Sequence, residues 1–130
     1  MKRIKKTKPL DKILVNNQQK INYPIFCFKY LQLDYKKDNE FYYKFIERII
    51  KLSDLGWKKI QNTDKHSFGT EKIPVKQIKK TLPNFITPDI DTLTVFRANG
   101  DNRPFLGLRD GNVFHIIFLE EKFNDVYNHH

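Results

Sequence analysis

The clearest pattern of apolar and polar positions runs from Thr92 to Leu119, where three apolar segments are separated by two short polar turns. The dipeptides Asn99-Gly100 and Asp110-Gly111 supply the positive backbone φ that two-residue hairpin loops need. The segments between them are rich in Val, Ile, Leu, Phe and Thr, which suit strands. The pattern therefore predicts three consecutive antiparallel strands.

If these dipeptides are the turn centres, the pairing of the strands follows from them. Arg97 then lies opposite Asn102, Leu106 opposite His115, and Phe105 opposite Ile116. One face of the predicted sheet carries Leu93, Val95, Arg97, Leu106, Leu108, Val113, His115, Ile117 and Leu119. The other carries Phe96, Arg103, Phe105, Arg109, Phe114, Ile116 and Phe118. Both faces are largely apolar, so we expect the upstream chain to cover the sheet on both sides.

Upstream, the periodicity predicts one strand and one helix. Ile25 to Leu33 alternates as a strand, and residues 12–15 are a candidate edge strand. Asp38 to Ser53 is predicted as an amphipathic helix with Asp38 or Asn39 as its N-cap. Its expected core positions are Tyr42, Phe45, Ile46, Ile49 and Ile50. The predicted fold is a single α+β domain over residues 10–130, with an antiparallel meander of about four to five strands covered by one main helix.

Between Asn62 and Pro88 no sustained period remains, so a long connection with a short helix from Lys76 to Leu82 is expected. It contains the segment His66-Ser67-Phe68-Gly69-Thr70, which is flanked by Lys65 and Lys72. Two interpretations stay open here: a loop that binds an anion or phosphate, and an ordinary turn with a solvated histidine.

The formal net charge of +9 points to an acidic partner, either nucleic acid or an acidic protein. The abundance of Lys, Asn, Ile and Phe also fits an AT-rich genome. Residues 1–9 are predicted as a flexible basic arm, which either contacts phosphates or keeps the terminus soluble. The single cysteine, Cys27, favours a reducing, cytoplasmic setting, and neither a signal peptide nor a membrane span is expected.

The sequence lacks the motifs of several well-known kinds of catalytic and metal site. The four histidines, His66, His115, His129 and His130, have no metal-ligand spacing, and no nucleophile elbow or phosphate-binding glycine loop is present. Neither a metal nor a cofactor is therefore expected. The remaining bases and cations are the groups that metal-independent RNA cleavage needs, namely a proton acceptor, a proton donor and a cation. An alternative origin for His129 and His130 is the remnant of a purification tag.

The segment VFRANGDNRPFLGLRDGNVFHIIFLEEKF, preceded by a strand and a helix, resembles the RelE/ParE toxin superfamily over about residues 24–128. The resemblance implies a small basic bacterial toxin encoded with an acidic antitoxin. Such a toxin either cleaves messenger RNA on the ribosome or inhibits gyrase. The resemblance assigns Arg97 and Arg103 to phosphate contacts and Tyr127 or His129 to acid/base chemistry. The chain departs from the superfamily in its single strong helix and its long 62–88 connection. Some phrases of the chain are also similar to those of small uncharacterised bacterial proteins.

The predicted catalytic site lies at the rim of the meander, because Arg97 and Arg103 flank the first turn and the C-terminal tail emerges at the same end. It comprises Arg97, Arg103, His66, Tyr127 and His129, and Lys65, Lys72 and Arg109 are predicted to contact nucleic acid. Two functional hypotheses follow. The first is a toxin-like endoribonuclease of a toxin-antitoxin or phage-defence system, and the second is a non-catalytic module that binds nucleic acid or an acidic protein.

Overall fold

The computed structural model describes residues 21–33, 39–64, 68–97 and 103–129, and every structural statement below concerns those residues. A five-stranded sheet in the order β1-β5-β4-β3-β2 and one main helix confirm the predicted α+β class. The strands are β1 (Ile25–Cys27), β2 (Thr70–Pro74), β3 (Thr92–Arg97), β4 (Pro104–Asp110) and β5 (Val113–Leu119). The helices are α1 (Asn39–Leu55) and α2 (Trp57–Gln61), with a 3-10 turn at Val75–Gln77. The predictions for residues 1–9 and 12–15 lie outside the described residues.

The sheet is mixed, which corrects the prediction of a purely antiparallel meander. Strands β3, β4 and β5 do form the predicted antiparallel series, and β2 adds to β3 in the same manner. Strand β1, however, runs parallel to β5, with Ile25 beside Val113. Parallel neighbours need a long crossover, and here most of the chain lies between the two strands.

The predicted register of both hairpins is wrong. Arg97 lies opposite Pro104 instead of Asn102, so the β3–β4 connection is longer than two residues. In the β4–β5 hairpin Asp110 pairs with Val113, and the loop therefore consists of Gly111 and Asn112. Gly111 has φ 62°, the left-handed conformation that glycine adopts without penalty. The second turn therefore lies one residue later in the chain than the Asp110-Gly111 signal predicted.

A β-bulge at Leu106 and Gly107 changes the faces at the end of β5. Leu106 pairs with Phe118 while Gly107 pairs with Ile116, which leaves Ile117 as the extra residue. As a result Leu119 joins the core cluster on the helix side and Phe118 joins the opposite cluster, the reverse of the prediction. A Cβ atom at Gly107 would lie 1.9 Å from the His115 carbonyl oxygen, so only glycine fits there.

Helix α1 closely matches the predicted span, and of its predicted core positions Phe45 is buried while Tyr42 and Ile49 pack half-buried against the core. Its buried side chains are Phe41, Phe45, Arg48 and Leu52. Ile46 and Ile50, predicted as core, are 50% and 58% exposed. Apolar residues occupy more than half of the circumference of this helix, so spacing alone could not decide which stripe meets the sheet. Gly56, at φ 84°, separates α1 from α2, and Trp57 directly after it is buried in the core.

Apolar cover lies on both faces of the sheet, as the two apolar faces required. On the helix side Phe26 meets the rings of Phe96, Phe105 and Phe114 edge-on, with centroids 6.0 to 6.2 Å apart. The opposite face is covered by the chain after β2 and by the C-terminal segment. The covering side chains on that side are Ile78, Leu82, Phe85, Ile86, Val126 and Tyr127.

The irregular regions also differ from expectation. Strand β2 lies inside the segment that was predicted as a connection, at the edge of the sheet, where its terminal Pro74 costs no ladder hydrogen bond. The helix predicted from Lys76 is only a 3-10 turn. The predicted strand from Ile25 ends at Cys27, and a single bridge from Gln32 to Phe118 resumes the pairing.

Candidate functional site

Three of the predicted catalytic groups, Arg97, Tyr127 and His129, lie at one end of the sheet. Arg97 is the last residue of β3, Pro104 is the first of β4, and Glu120 directly follows β5. The Glu120 backbone N–H donates a hydrogen bond to the Pro104 carbonyl at 2.9 Å. The C-terminal segment therefore begins at the end of the sheet where β3 stops.

Arg97 is held by a carboxylate from the neighbouring strand. Its Nη2 lies 3.2 Å from Oε2 of Glu71, which stands on β2 opposite Val95. The Arg97 side chain is only 7% exposed, and its Nη1 has no hydrogen-bond partner among the described residues. One amino group of the guanidinium thus forms an ion pair, and the other is buried without a hydrogen bond to the described residues.

Glu120 is a fully buried carboxylate that fastens the C-terminal segment. Its Oε2 accepts hydrogen bonds from the backbone N–H groups of Val126 at 2.7 Å and Tyr127 at 3.2 Å. Its Oε1 contacts Nε2 of His129. The imidazole lies between the rings of Phe123 and Tyr127, with centroids 4.3 and 4.1 Å away. His129 is therefore integrated into the packing of this segment.

The Tyr127 side chain is buried, and its hydroxyl lies beside the Arg97 guanidinium without forming a hydrogen bond of good geometry to any described residue. Burial raises the pKa of Tyr127 to about 12. The Glu71 carboxylate adds to this rise, and the nearby Arg97 guanidinium opposes it. At neutral pH the phenol is protonated, so it can donate a proton but cannot act as a base.

The structure brings Arg97, Tyr127 and His129 together and adds Glu71 and Glu120, which sequence reasoning missed. Glu120 had a weak signal, since it is an acidic residue directly after an apolar strand. Glu71 had none, because β2 was not recognised. Arg103 lies elsewhere: its guanidinium stands 4.9 Å above the Phe41 ring on the helix side. His66 and Lys65 lie outside the described residues.

His115 contributes to a separate aromatic group on the face opposite α1. Its ring lies 4.8 Å from Phe85 and 5.7 Å from Tyr30, and those two rings stack at 4.1 Å. The His115 Nδ1 has no hydrogen-bond partner among the described residues. The half-buried imidazole serves as a packing element there.

A second polar region, which we call the basic corner, consists of Lys58, Lys59, Lys72 and Arg109 on the helix side of the sheet. The Arg109 guanidinium stacks 3.8 Å above the Trp57 ring, and its Nε donates to the Gly111 carbonyl at 2.7 Å. All four side chains belong to exposed residues. Within the described ranges none of the three lysines forms an ion pair.

Among the described residues no group of three or more His, Cys, Asp and Glu side chains is arranged to hold a metal ion. No helix in the described ranges has the length and apolar character needed to cross a bilayer.

No family model, curated protein or solved structure matches this chain. The resemblance to the RelE/ParE superfamily therefore stays a prediction.

Proposed function

We propose that this protein is a non-catalytic nucleic-acid-binding module that holds the phosphate backbone at the basic corner. The observation that carries the proposal is a set of four exposed cations on the helix side of the sheet, Lys58, Lys59, Lys72 and Arg109. In the described ranges the three lysines form no ion pair, and Arg109 is already stacked on the Trp57 indole. Such a surface attracts phosphates and gains free energy from released counterions.

The sheet register supports a common surface for these cations. Lys72 lies opposite Thr94, which lies opposite Gly107, two residues before Arg109 on β4. Standard strand spacings then separate the Lys72 and Arg109 Cα atoms by roughly 12 Å. Lys58 and Lys59 project from α2, whose Trp57 and Ile60 pack onto the same face. The long side chains of Lys72 and Arg109 can therefore contact neighbouring phosphates of one strand.

Three of the five predicted catalytic groups favour the non-catalytic hypothesis over the endoribonuclease. RNA cleavage needs an accessible base and acid beside the scissile phosphate. Arg97, Tyr127 and the His129 side chain are 7%, 4% and 9% exposed. Two of the three groups are also bonded to carboxylates, which repel a phosphate.

The test compares two double variants with the same change in net charge. Lys58→Glu/Lys59→Glu reverses the basic corner, and Lys29→Glu/Lys122→Glu reverses two exposed lysines elsewhere. Binding to a fluorescein-labelled single-stranded RNA is measured by anisotropy over a range of salt. We expect the corner variant to bind at least about tenfold more weakly and to show a shallower salt dependence, by about one to two in log–log slope.

Equal losses in both variants would reduce the proposal to general charge attraction and would contradict it. Intact RNA recovered after long incubation supports the non-catalytic hypothesis, whereas cleavage abolished by Tyr127→Phe would replace it with the endoribonuclease. A reducing, cytoplasmic setting belongs to the same proposal, on the ground of the single cysteine.

A further inference from the structure

Helix α1 turns an apolar stripe toward solvent. Tyr43, Ile46 and Ile50, which we call the outer stripe, are 68%, 50% and 58% exposed. Their spacing of three and then four residues places them side by side on the helix, away from the buried Phe41 and Phe45. Single exposed apolar residues are ordinary, but a contiguous row on a regular helix is typical of a protein-binding surface.

The rim of the outer stripe has a defined charge. Glu40, Glu47 and Asp54 recur every seven residues and therefore run along one side of the stripe. Glu40 pairs with Lys44 at 3.1 Å, and within the described residues Glu47 and Asp54 have no ion pair. Although the chain carries a net charge of +9, the row next to the outer stripe is acidic.

We propose that the outer stripe binds an amphipathic helix of a different protein, one with an apolar stripe bordered by Lys or Arg. Apolar side chains of that helix would cover Tyr43, Ile46 and Ile50, and its cations would meet Glu47 and Asp54. The stripe extends over about 10 Å of α1, which matches two turns of a partner helix. This partner is neither the nucleic acid of the proposed function nor the acidic protein that the resemblance implies.

A second copy of the chain fits this surface less well. In a two-fold antiparallel pairing of α1 helices, the acidic row of one copy would lie along the acidic row of the other. Like charges along such a seam oppose association. The surface therefore selects a partner of opposite charge over itself.

The probe is a synthetic helical peptide with Leu at its core positions and Lys at the flanking positions, and its sister peptide has Glu in place of Lys. Binding of each labelled peptide to the full chain is followed by anisotropy. The Lys peptide should bind more tightly than the Glu peptide, although the net charge of +9 by itself would favour the Glu peptide. Ile46→Gln/Ile50→Gln should weaken the Lys peptide by about tenfold or more.

Glu47→Lys/Asp54→Lys should reverse the preference between the two peptides. Leu33→Gln, at an exposed apolar residue outside α1, is the control and should leave both affinities unchanged. All these positions are exposed, and thermal unfolding checks that each variant is folded.

Stronger binding of the Glu peptide, or unchanged binding to the Ile46→Gln/Ile50→Gln variant, would overturn the proposal. Sedimentation provides a further test. If the wild type is a dimer and Ile46→Gln/Ile50→Gln is a monomer, the outer stripe joins two copies of this chain and the proposal is overturned. The proposal and the proposed function fail separately, since Ile46→Gln/Ile50→Gln should keep RNA binding and Lys58→Glu/Lys59→Glu should keep peptide binding.

Discussion

The buried carboxylate of Glu120 accepts a hydrogen bond of 2.7 Å from the backbone N–H of Val126. The same carboxylate also contacts Tyr127 N–H and His129. A single side chain therefore binds three polar groups of the C-terminal segment.

Glu120→Gln should lower the free energy of unfolding by about 1 to 3 kcal/mol, because a neutral amide has a single acceptor oxygen where the carboxylate has two, so it cannot serve both the backbone N–H groups and His129 as acceptor. Urea denaturation measures the loss. Glu40→Gln is the matched control, since its side chain is 74% exposed and its ion pair lies in water. Equal stability of the two variants would show that Glu120 does not fasten the segment.

Tyr127→Phe should leave the free energy of unfolding at neutral pH within about 1 kcal/mol of wild type, because the buried hydroxyl that it removes lies near Arg97 but makes no well-aligned hydrogen bond to the described residues. Tyr127→Ala, which leaves a cavity, should cost about 2 to 4 kcal/mol. Both values come from urea denaturation. A large loss in the Phe variant would mean that the hydroxyl is bonded in solution.

The pKa of Tyr127, raised by burial to about 12 from 10.0, predicts a pH dependence. The folded state binds this proton more tightly than the unfolded state, so its contribution to stability is fully present below pH 10 and is lost as the pH rises through about 12. The tyrosinate absorbance of wild type minus that of Tyr127→Phe isolates the titration. In denaturant the same difference should move back toward 10; equal midpoints with and without denaturant would contradict the burial argument.

Arg97→Met should cost about 1 to 3 kcal/mol, because it leaves the Glu71 carboxylate without its buried partner. Glu71 is 24% exposed, which keeps the loss toward the lower end. The double variant Arg97→Met/Glu71→Gln should recover part of that loss, and a double-mutant cycle of urea unfolding measures the coupling. Strict additivity would show that the two side chains do not interact.

Gly107→Ala should cost more than about 2 kcal/mol, because its Cβ would meet the His115 carbonyl oxygen of the adjacent strand. Gly111→Asn is the control. Its position is open to solvent, and asparagine tolerates the left-handed conformation, so the change should stay within about 1 kcal/mol. Thermal unfolding compares the two variants; similar midpoints would exclude the tight approach at the bulge.

Turn chemistry made most of the sheet predictable, because Asn-Gly and Asp-Gly dipeptides between apolar runs favour hairpins. The register was not predictable in the same way. The length of a connection is not encoded by its glycine alone, and Gly107 inside β4 was the only sign of the bulge that exchanges Phe118 and Leu119. Strand β2 was not predicted, because its sequence, which contains Glu71, Lys72 and Pro74, does not alternate between apolar and polar residues.

The candidate site was predictable as far as chain topology determines it. Since the meander brings the start of the C-terminal segment beside the end of β3, the proximity of Tyr127 to Arg97 follows from element order. Burial did not follow, because it depends on Glu120 drawing the segment inward and on Glu71 from the unrecognised strand. Charged residues in a sequence show which chemistry is available, whereas their accessibility depends on long-range packing.

The parallel pairing of β1 with β5 has a consequence for how the chain folds. Phe26 can enter its place among Phe96, Phe105 and Phe114 only after the last strand is available. The hairpins of β3, β4 and β5 are local and can form early, but this edge pairing closes a loop that contains most of the chain. Of the described strands, β1 leaves the ribosome first, and it cannot pair with β5 until the chain has been synthesised beyond Leu119.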